Sequence, residues 1–591
     1  MFLKVKKRGN KSYLSFVESY WDGGTSRHRT VFSLGELGDF SKTSLKSIGA
    51  GFLKLGGISS ELLNVDKAEV LKTYNWGACA VVRKLWTQLN LDHVLNEAFE
   101  DSRVKFNTNE AVFNIVLNRL THPESKLKLH SRQDEIVGIH KFDLHHYYKV
   151  LDIISKNKEK VEELMFKNSN KPFSKTVDIV LYDVTTLYFE STDSDELRKK
   201  GWNKDGKASK VQVVVGLTVD KDGRPLSFDV FPGNKYEGHT LISALTKLRS
   251  KFNVDKVIVV ADRGINNREN LGEIRNAGFD YVLGHRFKNT DEPLQDSILD
   301  LKKYTTITTD SDGSTRLSVR EILLNKKREE ILLKDNEGNE IPPEDREKTD
   351  SRIICSWSAS RAYKDMRDRE KYIEKAKYFI ENPHKLEDKK GCKKYLKIVT
   401  DDGEIGREDE DQNESKSNKL KKAKKKSIKY AELNLEQIEK DTMYDGIYTI
   451  ETSDTTLTSE EVLTAYKHLW KIEESFRVLK SSLDARPIYH WTPDRIVGHL
   501  MCCYIALTVE RALENILTKK GIEHSVDKIR DAINKLSVSE VKLADGEPEI
   551  YLHQSLKSDE YKLSKDILKA LGIDIPKSSM TKEQFKATYE K

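Results

Sequence analysis

The chain is poor in cysteine: its five, Cys79, Cys355, Cys392, Cys502 and Cys503, form no C-x-x-C pair and no dense spacing. A disulfide framework is therefore not expected, and a reducing cytosol fits. A leader-like apolar segment is also missing, because Met1-Phe-Leu-Lys-Val-Lys-Lys-Arg8 turns polar at once. Long hydrophobic runs are scarce: the longest, residues 496–509, contains His499 and is too short to span a bilayer, so no membrane role is expected. Charge of one sign does not dominate either, since 101 Lys and Arg face 95 Asp and Glu for a net +6. Any nucleic-acid surface must then come from local clustering. There is no internal repeat, no heptad pattern and no clear helix-turn-helix. What is present is a 591-residue chain, 37% hydrophobic and 33% charged, enough for three or four packed units with their own cores.

The periodicity divides the chain. Residues 1–62 read as a small β module, with strand-like runs at Ser12-Tyr-Leu-Ser-Phe-Val and Arg29-Thr-Val-Phe-Ser-Leu on either side of the turn signal Asp22-Gly-Gly. Residues 63–168 take on a helical period, as in Glu110-Ala-Val-Phe-Asn-Ile-Val-Leu. Over 169–290 the order is strand (Val177-Asp-Ile-Val-Leu-Tyr-Asp-Val-Thr), a hairpin through Asp222-Gly223, helix, strand (Lys256-Val-Ile-Val-Val-Ala-Asp), helix, strand (Tyr281-Val-Leu-Gly). That is the order of a ribonuclease-H-like mixed sheet, so the fold class is α/β. Residues 291–450 read as a β-rich insertion with one long charged helix and a tract running from Glu408-Asp-Glu-Asp to Lys419-Leu-Lys-Lys-Ala-Lys-Lys-Lys, expected to stay solvated. Residues 451–520 carry two long helical patterns, and 521–591 form a polar C-terminal segment.

Asp183 and Asp262 each follow an apolar strand run, where an acid is costly to bury unless it is paired or binds a cation. Either could instead cap a turn. At ~100° per residue, Tyr466, Glu473, Arg477 and Lys480 share one helix face. The plain reading of that face is an exposed i,i+4 pair between Glu473 and Arg477. Glu474 points about a quarter-turn away and is the alternate acid. Three carboxylates converging on one point require cations, and an all-oxygen donor set suits Mg²⁺ or Mn²⁺. Such a site performs two-metal phosphoryl transfer.

These residues resemble insertion-sequence transposases of the DDE group, whose third acid lies in a Y-x2-R-x3-E-x6-K signature. Tyr466, Glu473 and Lys480 hold the spacing, Asp183 sits in Tyr-Asp-Val-Thr-Thr and Asp262 in Ala-Asp-Arg-Gly. Leu469 stands where the signature has Arg, and Lys467 or Lys471 is the candidate substitute. The resemblance implies double-stranded DNA as partner, as terminal inverted repeats and as target. It also implies nicking to free a 3′-hydroxyl, strand transfer by a homodimer on DNA, and a cytoplasmic, nucleoid-associated location. The alternatives are a metal-dependent nuclease that does not join, and a non-catalytic DNA-binding descendant.

Candidate DNA contacts are Tyr466, Arg477 and Lys480 on the helix, Lys204 and Lys207 in the lysine-rich segment 201–210, and Trp357 for stacking on a displaced base, with a buried core position as its alternative. End recognition is expected from the N-terminal β module and the helices up to about 165, including Asn118-Arg-Leu-Thr-His-Pro-Glu-Ser-Lys.

Overall fold

The hairpin read at Asp22-Gly-Gly opens the chain. Three antiparallel strands, β1 (Phe2–Arg8), β2 (Lys11–Asp22) and β3 (Thr25–Glu36), form a sheet in that order, and Gly24 takes the left-handed turn at φ +83°. In this computed structural model the described residues are 2–22, 24–56, 69–168, 179–201, 210–236, 239–250, 257–311, 313–325, 350–382, 392–400, 403–404, 428–542 and 549–589. The chain falls into two units, one of Met1–Lys84, Ser125–Leu144 and Lys520–Lys591, the other of Leu85–Glu124 and His145–Lys519.

In the first unit the β module is not all strand. Lys42–Leu55 is a helix whose Phe52 meets Phe16 of β2 edge to face at 5.4 Å. The helical region likewise begins with a strand, β4 (Glu69–Asn75). It pairs with a strand from the far end of the chain in the sheet β19-β18-β17-β4, where β17 is Ser537–Lys542, β18 Ile550–His553 and β19 Ser579–Thr581. The described residues of the C-terminal segment are therefore part of this unit, with Tyr551 stacked on Phe585 at 3.9 Å.

The second unit is built on a nine-stranded mixed sheet. Its strands are β5 (Ile179–Tyr188), β6 (Gln212–Asp220), β7 (Pro225–Pro232), β8 (Ile258–Ala261), β9 (Asp280–Gly284), β10 (Thr305–Thr309), β11 (Thr315–Asn325), β12 (Asp350–Ser358) and β16 (Ile447–Thr452), in the order β10-β11-β12-β16-β9-β8-β5-β6-β7. The expected hairpin is β6–β7, turned by Gly223 at φ +81°. Among the described strands of this sheet the parallel pairs are β5–β8 and β8–β9. Even-numbered β5 residues, Val180, Tyr182 and Val184, enter a core closed by helices Leu241–Ser250 and Arg268–Asn276. Odd-numbered ones, Thr185 and Leu187, face Leu500, Tyr504 and Leu507 of helix Pro493–Lys519. This is a ribonuclease-H-like layered sheet.

The insertion is only partly separate. Strands β10, β11 and β12 extend the main sheet beside β16, and a distinct three-stranded sheet, β14 (Gly403–Glu404), β13 (Leu396–Thr400) and β15 (Ile428–Leu433), shares a small core with helix Ala359–Glu381 through Ala376, Phe379, Tyr395 and Ala431. The core of the acidic and basic tract, 405–427, lies outside the described residues.

Helix Pro493–Lys519 is longer than the apolar run suggested, and by length and composition could cross a bilayer, but 94% of its apolar window is buried in the protein. It crosses helix Leu144–Lys156 at Gly498, where a Cβ would lie 2.1 Å from the Leu151 carbonyl oxygen. Backbone cannot yield as a flexible side chain does, so Gly498→Ala should cost about 3 kcal/mol, the upper end for overpacking. A urea midpoint equal to wild type would show that the two helices separate freely.

Candidate active site

Register explains how two acids far apart in sequence meet. In the parallel pair β5–β8, Tyr182 stands opposite Ala261. The next residue on each chain is Asp183 and Asp262, so both acids sit at the point where β8 ends. Asp183 is thus not at the end of its own strand, as its apolar run suggested, but mid-strand, still paired through β6 with Leu217. One of its carboxylate oxygens accepts the Val184 N–H at 2.7 Å. Being odd-numbered, it points away from the Tyr182 core toward helix Leu469–Arg477, which packs on β5.

That helix is not a simple continuation of the one before it. Ser459–Lys467 starts with a capping box between Thr458 and Glu461, then the chain tightens at His468, whose N–H is shared between the carbonyls of Thr464 and Ala465. Leu469–Arg477 follows, ending in a π turn, Val478–Ser482. The expected single stripe is therefore broken twice: Tyr466 lies on the first helix, Glu473 and Arg477 on the second, and Lys480 in the π turn.

Asp183, Asp262 and Glu473 all line one cavity of about 860 Å³, together with Tyr466, Lys467 and Leu469. Glu473 is exposed and makes no hydrogen bond or ion pair with a described residue, so the plain i,i+4 pair with Arg477 is not formed. Glu474 differs sharply: it bonds to Arg511 Nη1 at 3.1 Å, and that arginine is buried. The two neighbouring acids are divided between an open cavity and a structural ion pair.

Asp262 has a built neighbour. Tyr466 donates from its hydroxyl to Asp262 Oδ1 at 3.3 Å, and the Tyr448 hydroxyl donates to that of Tyr466. Burial, reinforced by Tyr448 and Asp262, drives the Tyr466 phenol well above its usual pKa, so it stays a donor. Gly284 makes room for it, since a Cβ there would lie 2.7 Å from the Tyr466 oxygen. Tyr448, under Arg361 at 4.6 Å, carries no sequence signal that distinguishes it. Only the pairing of β16 with β9 and β12 brings it to the site.

The insertion supplies a wall of the cavity through Thr308, Arg316, Ser356 and Ser358. Trp357 lies between the last two on the opposite face of β12, half-buried against the cluster of Phe287, Ile353, Cys355 and Ile447. A second recess of about 610 Å³ shares Asp262, Arg361 and Tyr448 with the first and adds Arg263, Arg286 and Lys288, none ion-paired with a described residue. Of the two lysines considered in place of the signature arginine, Lys467 lines the cavity, whereas Lys471 lies over the Trp470 ring at 4.2 Å. Arg477 is exposed and Lys480 half-buried. Lys204 and Lys207 lie outside the described residues. In the segment considered for end recognition, Arg119 is buried and binds the carbonyls of Asp484 and Glu124.

A parallel pair of strands delivering two acids, with a third from a helix on the same face of a ribonuclease-H-like sheet, defines the class: a ribonuclease-H-like core with a carboxylate centre. The chain belongs to the transposase DDE domain family, which matches residues 175–509, as an insertion-sequence DDE transposase. Residues 3–55 match the N-terminal domain of the IS1634 family of transposases. No curated protein matches the chain.

Proposed function

We propose that this transposase binds the terminal inverted repeats of a mobile element, cleaves DNA there by two-metal phosphoryl transfer and joins the freed 3′ ends to target DNA. The observation that carries the reading is the convergence of Asp183, Asp262 and Glu473 on one open cavity. The donor set fits Mg²⁺, with Mn²⁺ as substitute: all three offer only oxygen, and Glu473 has no competing partner among the described residues. Bound cations there would polarise the attacking and leaving oxygens and offset charge on the phosphate. The chain's own part is to hold the three carboxylates in place, with Tyr466 steering one Asp262 oxygen and leaving the other open. Lys467 and Arg316 on the cavity wall, and Arg477 and Lys480 beyond it, are suited to backbone phosphates, contacts that position DNA without reading sequence. Pairing two ends calls for a homodimer on DNA, working in the cytoplasm at the nucleoid.

The test is incubation of the protein with a labelled element-end duplex and Mg²⁺ or Mn²⁺. Cleaved and joined products are expected from wild type and from none of Asp183→Ala, Asp262→Ala and Glu473→Ala. Tyr466→Phe should cut about 10-fold more slowly, the scale of a lost hydrogen bond to a charged group, with unchanged DNA affinity. Cutting without joining would indicate a nuclease, and binding without cutting a non-catalytic descendant.

A further inference from the structure

The N-terminal module is basic. Residues 1–56 hold ten Lys and Arg against four Asp and Glu, an excess equal to the +6 of the entire chain. These residues form the three-stranded sheet and its helix, and the sheet is uneven. Strand β1 pairs with β2 only as far as Val17, while β2 and β3 continue for five more pairs, from Glu18↔Arg29 to Asp22↔Thr25. The extension is a two-stranded ribbon ~16 Å long at about 3.3 Å per residue. Apart from the half-buried Glu18, its described residues are exposed, Trp21 at 77% and Tyr20 at 42%.

A bare ribbon is marginally stable in water, and a large aromatic side chain at its tip gains nothing from solvent. Its arginines are tied only loosely: Arg27 pairs with Asp22 at 3.1 Å and Arg29 with Glu18 at 2.8 Å, with every partner at least 42% exposed. Such pairs are worth about 0–1 kcal/mol, so a phosphate can take over either arginine. The edge strand β1 adds Lys4, Lys7 and Arg8, which form no ion pair with a described residue.

We propose that the β2–β3 ribbon is a DNA-contacting arm that enters a groove of the element end. Tyr20, Trp21, Arg27 and His28 reach the duplex, and Lys4, Lys7 and Arg8 hold flanking phosphates. A major groove ~12 Å wide admits a two-stranded ribbon. The plain alternative for the β1 lysines is protection of a sheet edge, but that leaves the exposed Trp21 and the basic excess without a role. This inference rests on the element-end reading above and supplies its contact residues.

The experiment uses the full chain carrying Asp183→Ala, so that binding is read without cutting, and a labelled element-end duplex titrated at several salt concentrations. Adding Trp21→Ala and Arg27→Ala should weaken binding at least tenfold, since exposed ribbon residues can be removed without unfolding, as circular dichroism will check. Replacing Lys4, Lys7 and Arg8 by Ala should lower the salt slope by about 3. Unchanged affinity and slope would overturn the proposal. So would a change in sedimenting mass without DNA at unaltered affinity, which would make the ribbon a contact between copies. Cutting by the chain with intact acids is a separate assay, so failure of catalysis and failure of the arm remain distinguishable.

Discussion

Glu473→Gln should lower element-end cleavage by about three orders of magnitude with no change in the urea midpoint, whereas Glu474→Gln should cut at near the wild-type rate and unfold at a lower urea concentration. The split follows from what each side chain touches. Glu473 stands at the cavity with no partner among the described residues, so its removal costs the fold nothing. A ligand that helps hold cations at a reacting phosphate is worth several kcal/mol of transition-state charge stabilisation, and about 1.4 kcal/mol is a factor of ten. Glu474 is one of two acids on the buried Arg511 guanidinium. Burial raises the pKa of the other, Glu514, against the pull of Arg511. Without Glu474 the arginine keeps Glu514 and the Ser475 hydroxyl, so a loss of about 1 kcal/mol is expected. Loss of cleavage in Glu474→Gln with cleavage kept in Glu473→Gln would mean that the helix has been assigned the wrong face.

That Glu473 and not Glu474 faces the cavity was legible as a stripe at helical spacing, although the stripe is not continuous. The interruption at His468 and the π turn at 478–482 leave no mark in a hydrophobic pattern, because both keep the chain helical while changing its hydrogen bonding. The succession of strands along the chain from β5 to β9 was readable because each is an apolar run set off by a turn signal or a helical pattern. The identity of sheet neighbours was not. That β12 pairs with β16, nearly a hundred residues on, and that β17 pairs with β4, more than 460 residues back, are non-local facts without local sequence cause. Tyr448 was missed for that reason. It is an ordinary strand tyrosine until β16 takes its place beside β9. Trp357 was open to two readings because a strand residue's face depends on register, and a shift of one residue would have turned it toward the cavity.

Glu162→Ala should destabilise the second unit by about 3–5 kcal/mol, the cost of removing one member of a buried ion pair. Glu162 is 1% exposed and serves three groups: the Lys158 ammonium at 2.7 Å, the Lys247 ammonium at 3.5 Å and the Phe228 backbone N–H at 3.0 Å. It thereby ties helix Lys158–Asn168 to β7 and to helix Leu241–Ser250. The two lysines are not equivalent. Burial works against the charge of Lys247, but Glu162 and Asp229 outweigh it and hold its pKa above the usual value. For Lys158 burial prevails over the attraction of Glu162, and its pKa is lowered. With Glu162 gone, Lys247 still has Asp229 at 2.5 Å, while Lys158 is left buried with less to hold its proton. The folded variant then binds fewer protons at Lys158 than the unfolded chain, whose lysines titrate near 10.4, so stability rises with pH. The deficit of Glu162→Ala against wild type should therefore be larger at pH 7 than at pH 9. Adding Lys158→Met should recover part of it at both, because the stranded charge is the main cost. A deficit independent of pH and unaffected by Lys158→Met would instead assign it to the lost Phe228 hydrogen bond and the cavity left by the side chain.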